Sequence, residues 1–87
     1  MLSIKVLGPG CSYCERLKAA TKEALTMLGA EGMVEAVTDR AQFRAYRLVV
    51  TPGLVVNGKL VCAGRVPSAS EVMALVANVL AEQDARS

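Results

Sequence analysis

Three cysteines hold most of the reactive chemistry in this 87-residue chain: Cys11 and Cys14, separated by Ser12 and Tyr13, and Cys62 alone further on. With no histidine present, the usual neutral-pH acid–base group and the commonest metal ligand are missing. A Cys-x-x-Cys pair suits two chemistries, reversible dithiol–disulfide exchange or a thiolate clip for a soft metal ion. The plain alternative is a pair of small apolar core residues. Cys14 fits that alternative, but Cys11, which follows the Gly8-Pro9-Gly10 break, does not.

The elements around the pair sharpen the choice. Leu2 to Leu7 is short and β-leaning, and ends at the Gly-Pro-Gly break. Cys14, Leu17, Thr21, Ala24, Leu25 and Leu28 then recur at helical spacing, with Gly29 as a natural stop. The cysteines therefore sit where a strand turns into a helix. Unpaired N–H groups and the positive end of the helix dipole favour a thiolate there. In such settings a cysteine pKa drops from about 8.5 to roughly 3.5–7.5. Cys11, at the lip of the helix, is expected to be the nucleophile, and Cys14, one turn deeper, the thiol that resolves a mixed disulfide.

Further along, Met33 to Val37 reads as a second strand and Asp39 as the cap of a short helix through Phe43 and Tyr46. Leu54-Val55-Val56 and Lys59 to Ala63 flank Asn57-Gly58, a strong hairpin signal. Ser68 with Glu71 opens a last helix carrying Val72, Leu75, Val76, Val79 and Leu80. The polar residues from Glu82 to Ser87 read as a frayed tail. The order β-α-β-α-β-β-α predicts one α/β domain over 1–87, with a four-stranded mixed sheet and three helices.

Thr51-Pro52 precedes the hairpin. A trans proline at a strand start is the ordinary reading. A cis bond would instead turn Thr51 toward the Cys11 turn and leave its N–H and C=O free for an extended substrate segment. Tyr13, Thr51 and Pro52 are thus the candidate substrate-binding residues. For Cys62, a two-residue hairpin predicts a position opposite Gly53 on an edge strand. That lies about 10 Å from the Cys11 turn, two strand spacings away. A half-buried filler is the plain reading there, and a third redox thiol or soft ligand the sharper one. Arg65 and Lys59 are cations that would attract an acidic substrate, or are simply solvated.

Taken together, Gly8-Pro9-Gly10-Cys11-Ser12-Tyr13-Cys14, Thr51 to Lys59 and Gly64-Arg65-Val66-Pro67-Ser68 resemble the small prokaryotic thioredoxin-like "redox-active disulfide" proteins. That resemblance implies a minimal thioredoxin-like fold, with Cys11 as nucleophile, Cys14 as resolver and Pro52 in cis. Ala63-Gly64-Arg65 stands where glutaredoxins carry a Gly-Gly and acidic pair for glutathione, so a general dithiol exchanger is expected.

Composition trims the remaining classes. Ten basic and eight acidic residues are scattered, and aromatics number three, which argues against a nucleic-acid platform. No apolar run approaches the ~20 residues of a membrane span. No signal-peptide pattern opens the chain, so a cytoplasmic location is expected. The expected partners are a disulfide-bearing protein or small thiol and a reductase, with no organic cofactor, in a monomer or weak dimer. The competing reading is a soft-metal module on the same two thiolates, of the kind that runs β-α-β-β-α-β. A third is a domain of this fold that only binds a partner.

Overall fold

The computed structural model describes residues 2–10, 12–48 and 50–86, with side chains described to residue 83. Strand β1 (Leu2–Leu7) is followed by α1 (Ser12–Leu28), β2 (Gly32–Val37), α2 (Arg40–Ala45), β3 (Gly53–Val56), β4 (Lys59–Ala63) and α3 (Ala69–Arg86). The sheet order is β2-β1-β3-β4, with β1 parallel to β2 and the other two pairings antiparallel. This is the α/β architecture, four mixed strands with three helices, that the sequence predicts.

Helices cover both faces of the sheet. Ile4 and Val6 of β1 join Leu54 and Val56 of β3 in one core with Leu17, Ala24 and Leu25 of α1 and Val72, Val76 and Val79 of α3. The alternate residues, Leu7 and Val55, meet Val37 under Phe43 and Tyr46 on the α2 side. That is why all four residues of β3 are buried and its sequence shows no alternation. Lys5 shares the α2 face, where its Nζ donates to Tyr46 Oη at 3.5 Å and lies 5.7 Å from the ring centroid. Thr21 is a fully buried polar residue, satisfied by donating to the Leu17 carbonyl at 2.7 Å.

Helix ends follow local chemistry. Helix α1 closes with Ala30 N–H on Leu25 O and Gly29 N–H on Thr26 O, the paired bonds of a Schellman stop. Asp39 caps α2 by accepting from Ala41 N–H at 2.9 Å. Ser68 Oγ accepts from Glu71 N–H at 3.2 Å, but the Glu71 carboxylate does not return to the Ser68 N–H to complete the capping box that the Ser68/Glu71 spacing predicts. It accepts instead from Arg65 Nη1 at 2.7 Å. Ser68→Ala should therefore cost about 1 kcal/mol, the usual worth of an N-cap, read as a lower midpoint in urea unfolding.

Three sequence expectations shift. The hairpin turn forms at Asn57 and Gly58, both at positive φ (49° and 84°), but the strands slip by one residue between Leu54 and Val55. Cys62 consequently pairs with Leu54 rather than Gly53, whose partner is Ala63. The bulge puts both Val61 and Cys62 against the α1/α3 core, half-buried. The polar stretch from Glu82 onward is not a separate tail, since α3 runs through it to Arg86. Lys59 holds Glu82 at 2.6 Å and Asn57 Nδ2 donates to Gln83 at 3.0 Å, tying the helix to the hairpin. Leu80, counted on the apolar face, is exposed. Among the described residues no helix is long and apolar enough to cross a membrane.

Candidate functional site

The site begins where β1 runs out. Gly8 is buried and extends the β1–β2 pairing by donating to the Val37 carbonyl at 3.0 Å. Pro9 and Gly10 (φ 87°) turn the chain outward, and α1 is under way at Ser12. Cys14 lies in the first turn of α1 on its inner face, 5% exposed. Its Sγ occupies the space a Cβ at Gly8 would need, and that same Cβ would stand 3.9 Å from Pro52 Cα. The end of β1, the first turn of α1 and the segment leading into β3 thus converge on one thiol. Cys11, the expected nucleophile, lies outside the described residues.

The Thr51–Pro52 peptide bond is cis. Pro52 is buried, and its carbonyl accepts from Gly64 N–H at 2.9 Å, which fastens the segment to the loop after β4. Thr51 is exposed beside it. Among the described residues nothing bonds to the Thr51 N–H or C=O. Tyr13, 56% exposed, lines a cleft with Arg16, Thr51, Pro52, Gly64, Arg65 and Val66. The structure therefore brings together the three residues singled out for substrate contact and sets them next to Cys14.

Charge at the cleft comes from arginine. The Arg16 guanidinium lies 5.8 Å from the Tyr13 ring centroid, within cation–π range. The Arg65 guanidinium is held above its ordinary pKa, first by its hydrogen bond to Glu71, then by charge interactions with Cys62 and with Glu71. Cys62 is therefore within electrostatic reach of the cleft's rim although it does not line it. Lys59 is elsewhere, paired with Glu82 at the hairpin turn.

Sequence reasoning missed Gly8, Arg16, Gly64 and Val66. Gly8 read as part of a turn, whereas the structure requires it for space against Cys14. Only the three-dimensional approach of helix to strand creates that need. Arg16 left a fainter signal. It lies three residues after Tyr13, so on a helix the two share a face.

The fold and the cis-proline cleft beside an inner helical cysteine define a thioredoxin-like class of protein. The thioredoxin domain family matches residues 2–77, and the chain belongs to that family. It is 35% identical over 72 residues to a thioredoxin of Methanothermobacter thermautotrophicus, covering 83% of this chain and 94% of that protein. A thioredoxin of Methanocaldococcus jannaschii is 31% identical over 72 residues, 83% of each chain. The soft-metal alternative belonged to a β-α-β-β-α-β order, whereas the elements here run β-α-β-α-β-β-α.

Proposed function

We propose that the chain is a thiol–disulfide oxidoreductase working through a Cys11/Cys14 couple on protein or small disulfides. The Cys11 thiolate attacks one sulfur of the substrate disulfide, and the other sulfur leaves as a thiolate that takes up a proton. Cys14, deprotonated, then attacks Cys11 Sγ and expels the second substrate thiolate. The substrate gains two electrons and the protein is left with a Cys11–Cys14 disulfide. A reductase of dithiol chemistry returns the pair to the reduced state. Tyr13, Thr51 and Pro52 would hold the substrate, with the Thr51 backbone pairing to an extended segment.

The observation carrying this reading is the placement of Cys14: inner face of the first turn, beside Gly8 and near Pro52, which lines a cleft together with exposed Thr51. Such a thiol is shielded from bulky substrates, which suits a resolver. We place the activity in the cytoplasm, where a C-x-x-C pair is kept for catalysis rather than for a structural staple, and expect a monomer or weak dimer. The test is equilibration in glutathione redox buffers with thiol trapping at each potential. One reversible two-electron transition, lost in Cys11→Ser and in Cys14→Ser and retained in Cys62→Ser, is the expected result. A pair that stays reduced throughout, yet binds Cu(I) tightly, would replace this reading with the metal one.

A further inference from the structure

The proposed catalytic end of the molecule has a second cleft. On the α2 side of Thr51, Pro9, Arg40, Phe43 and Arg44 line a depression that shares Thr51 with the cleft of Tyr13, Arg16 and Arg65. Four of the chain's six arginines therefore line two clefts that meet at one residue. Among the described residues neither lining contains an aspartate or glutamate, although the chain has eight. Nearby carboxylates are engaged, Glu71 with Arg65 and Asp39 as the cap of α2. Glu15, in the first turn of α1, stands outside both linings. A net charge of only +2 makes this concentration a local feature rather than a consequence of a basic chain.

We propose that this end docks an extended acidic segment of a partner protein. The partner's disulfide would lie over Thr51, with carboxylates on one side met by Arg16 and by Arg65, whose Nη1 already holds Glu71, and on the other by Arg40 and Arg44. The proposal rests on the thiol–disulfide reading above and names the substrate class for that site. Guanidinium forks suit carboxylates through paired, charge-assisted hydrogen bonds. Tyr13 and Phe43 give each side an aromatic wall for the apolar part of the segment. Exposed Thr51 between them, with nothing bonded to its N–H or C=O among the described residues, suits an extended chain crossing from one cleft to the other. An arginine-lined approach also raises the encounter rate of an acidic partner, an effect that salt screens.

The test uses the reduced protein and three synthetic disulfide peptides, identical except that the residues flanking the cystine are glutamate, glutamine or lysine. Second-order reduction rates should rank glutamate, glutamine, lysine, with the extremes separated by about tenfold or more at low ionic strength. The spread should collapse near 1 M salt, where the screening length is about 3 Å. Arg16→Gln/Arg65→Gln and Arg40→Gln/Arg44→Gln should each narrow it, whereas Lys22→Gln, in a separate cleft with Gly32 and Val34, should not. Brisk reduction of all three peptides at one rate overturns the docking proposal alone. So does a preference that only the Arg16/Arg65 pair controls, which would mark a one-sided contact. Failure to reduce any peptide, or neutral 2-hydroxyethyl disulfide, overturns the redox reading and the docking proposal with it.

Discussion

Cys14→Ser is expected to convert the protein from a turnover catalyst into a stoichiometric trap, and Cys11→Ser to abolish exchange down to the level of buffer thiol. The asymmetry follows from burial. Cys14 is 5% exposed on the inner face of α1, so a protein disulfide cannot approach it closely enough for attack along the S–S axis. If Cys11 is removed, the remaining thiol is shielded. If Cys14 is removed, attack by Cys11 still proceeds, but the mixed disulfide has no neighbouring thiol to resolve it. Mass spectrometry of the Cys14→Ser protein mixed with a disulfide peptide should find one peptide attached per chain, releasable by dithiothreitol. Cys62→Ser should turn over as the parent does, because Cys62 pairs with Leu54 on edge strand β4 and is absent from the cleft. Unimpaired turnover by Cys14→Ser would rule out the two-thiol cycle.

Gly8→Ala should destabilise the protein by about 1–3 kcal/mol, the usual cost of forcing extra volume into a packed site. In urea this is a midpoint shift of roughly 1 M for a protein of this size. The cost is steric. Gly8 does not sit in the left-handed region, so alanine meets no backbone penalty there, and the contact toward Pro52 Cα would be an ordinary one at 3.9 Å. The obstacle is Cys14 Sγ. Deleting that sulfur should therefore remove most of the penalty, with Gly8→Ala costing far less in a Cys14→Ala background than in the parent. Such a double-mutant cycle isolates the pair. Additive costs would show that the Gly8 site is tight for some other reason. In the parent background Gly8→Ala should also change the redox potential of the couple, because it displaces the resolving thiol.

Much of the fold was legible because its signals are local. Strand β1 and strand β4 occupy the stretches read from composition and turn residues. The Asn57-Gly58 turn, the Gly29 stop and the Asp39 and Ser68 caps depend on backbone chemistry within a few residues. What failed involved competition between distant partners. Ser68 and Glu71 matched a capping box, but Arg65 offers the Glu71 carboxylate a charged partner that outweighs a backbone N–H. The hairpin turn fixed its own geometry but not the slip two residues away, and Cys62 moved from Gly53 to Leu54. Residues from Glu82 read as loose because their anchors, Lys59 and Asn57, lie on a different element.

The candidate site divides along the same line. From the sequence alone came Cys11 and Cys14 as a spaced pair at a strand–helix junction, and Thr51-Pro52 ahead of a hairpin. Residue type, spacing and turn chemistry suffice for those, since each is a property of a short stretch. Tertiary structure decided that Pro52, 38 positions beyond Cys14, comes back to it across Gly8, that Gly8 must have no side chain, and that arginines from α1, α2 and the loop after β4 gather around Thr51. Only folding brings these distant segments within a side chain's reach.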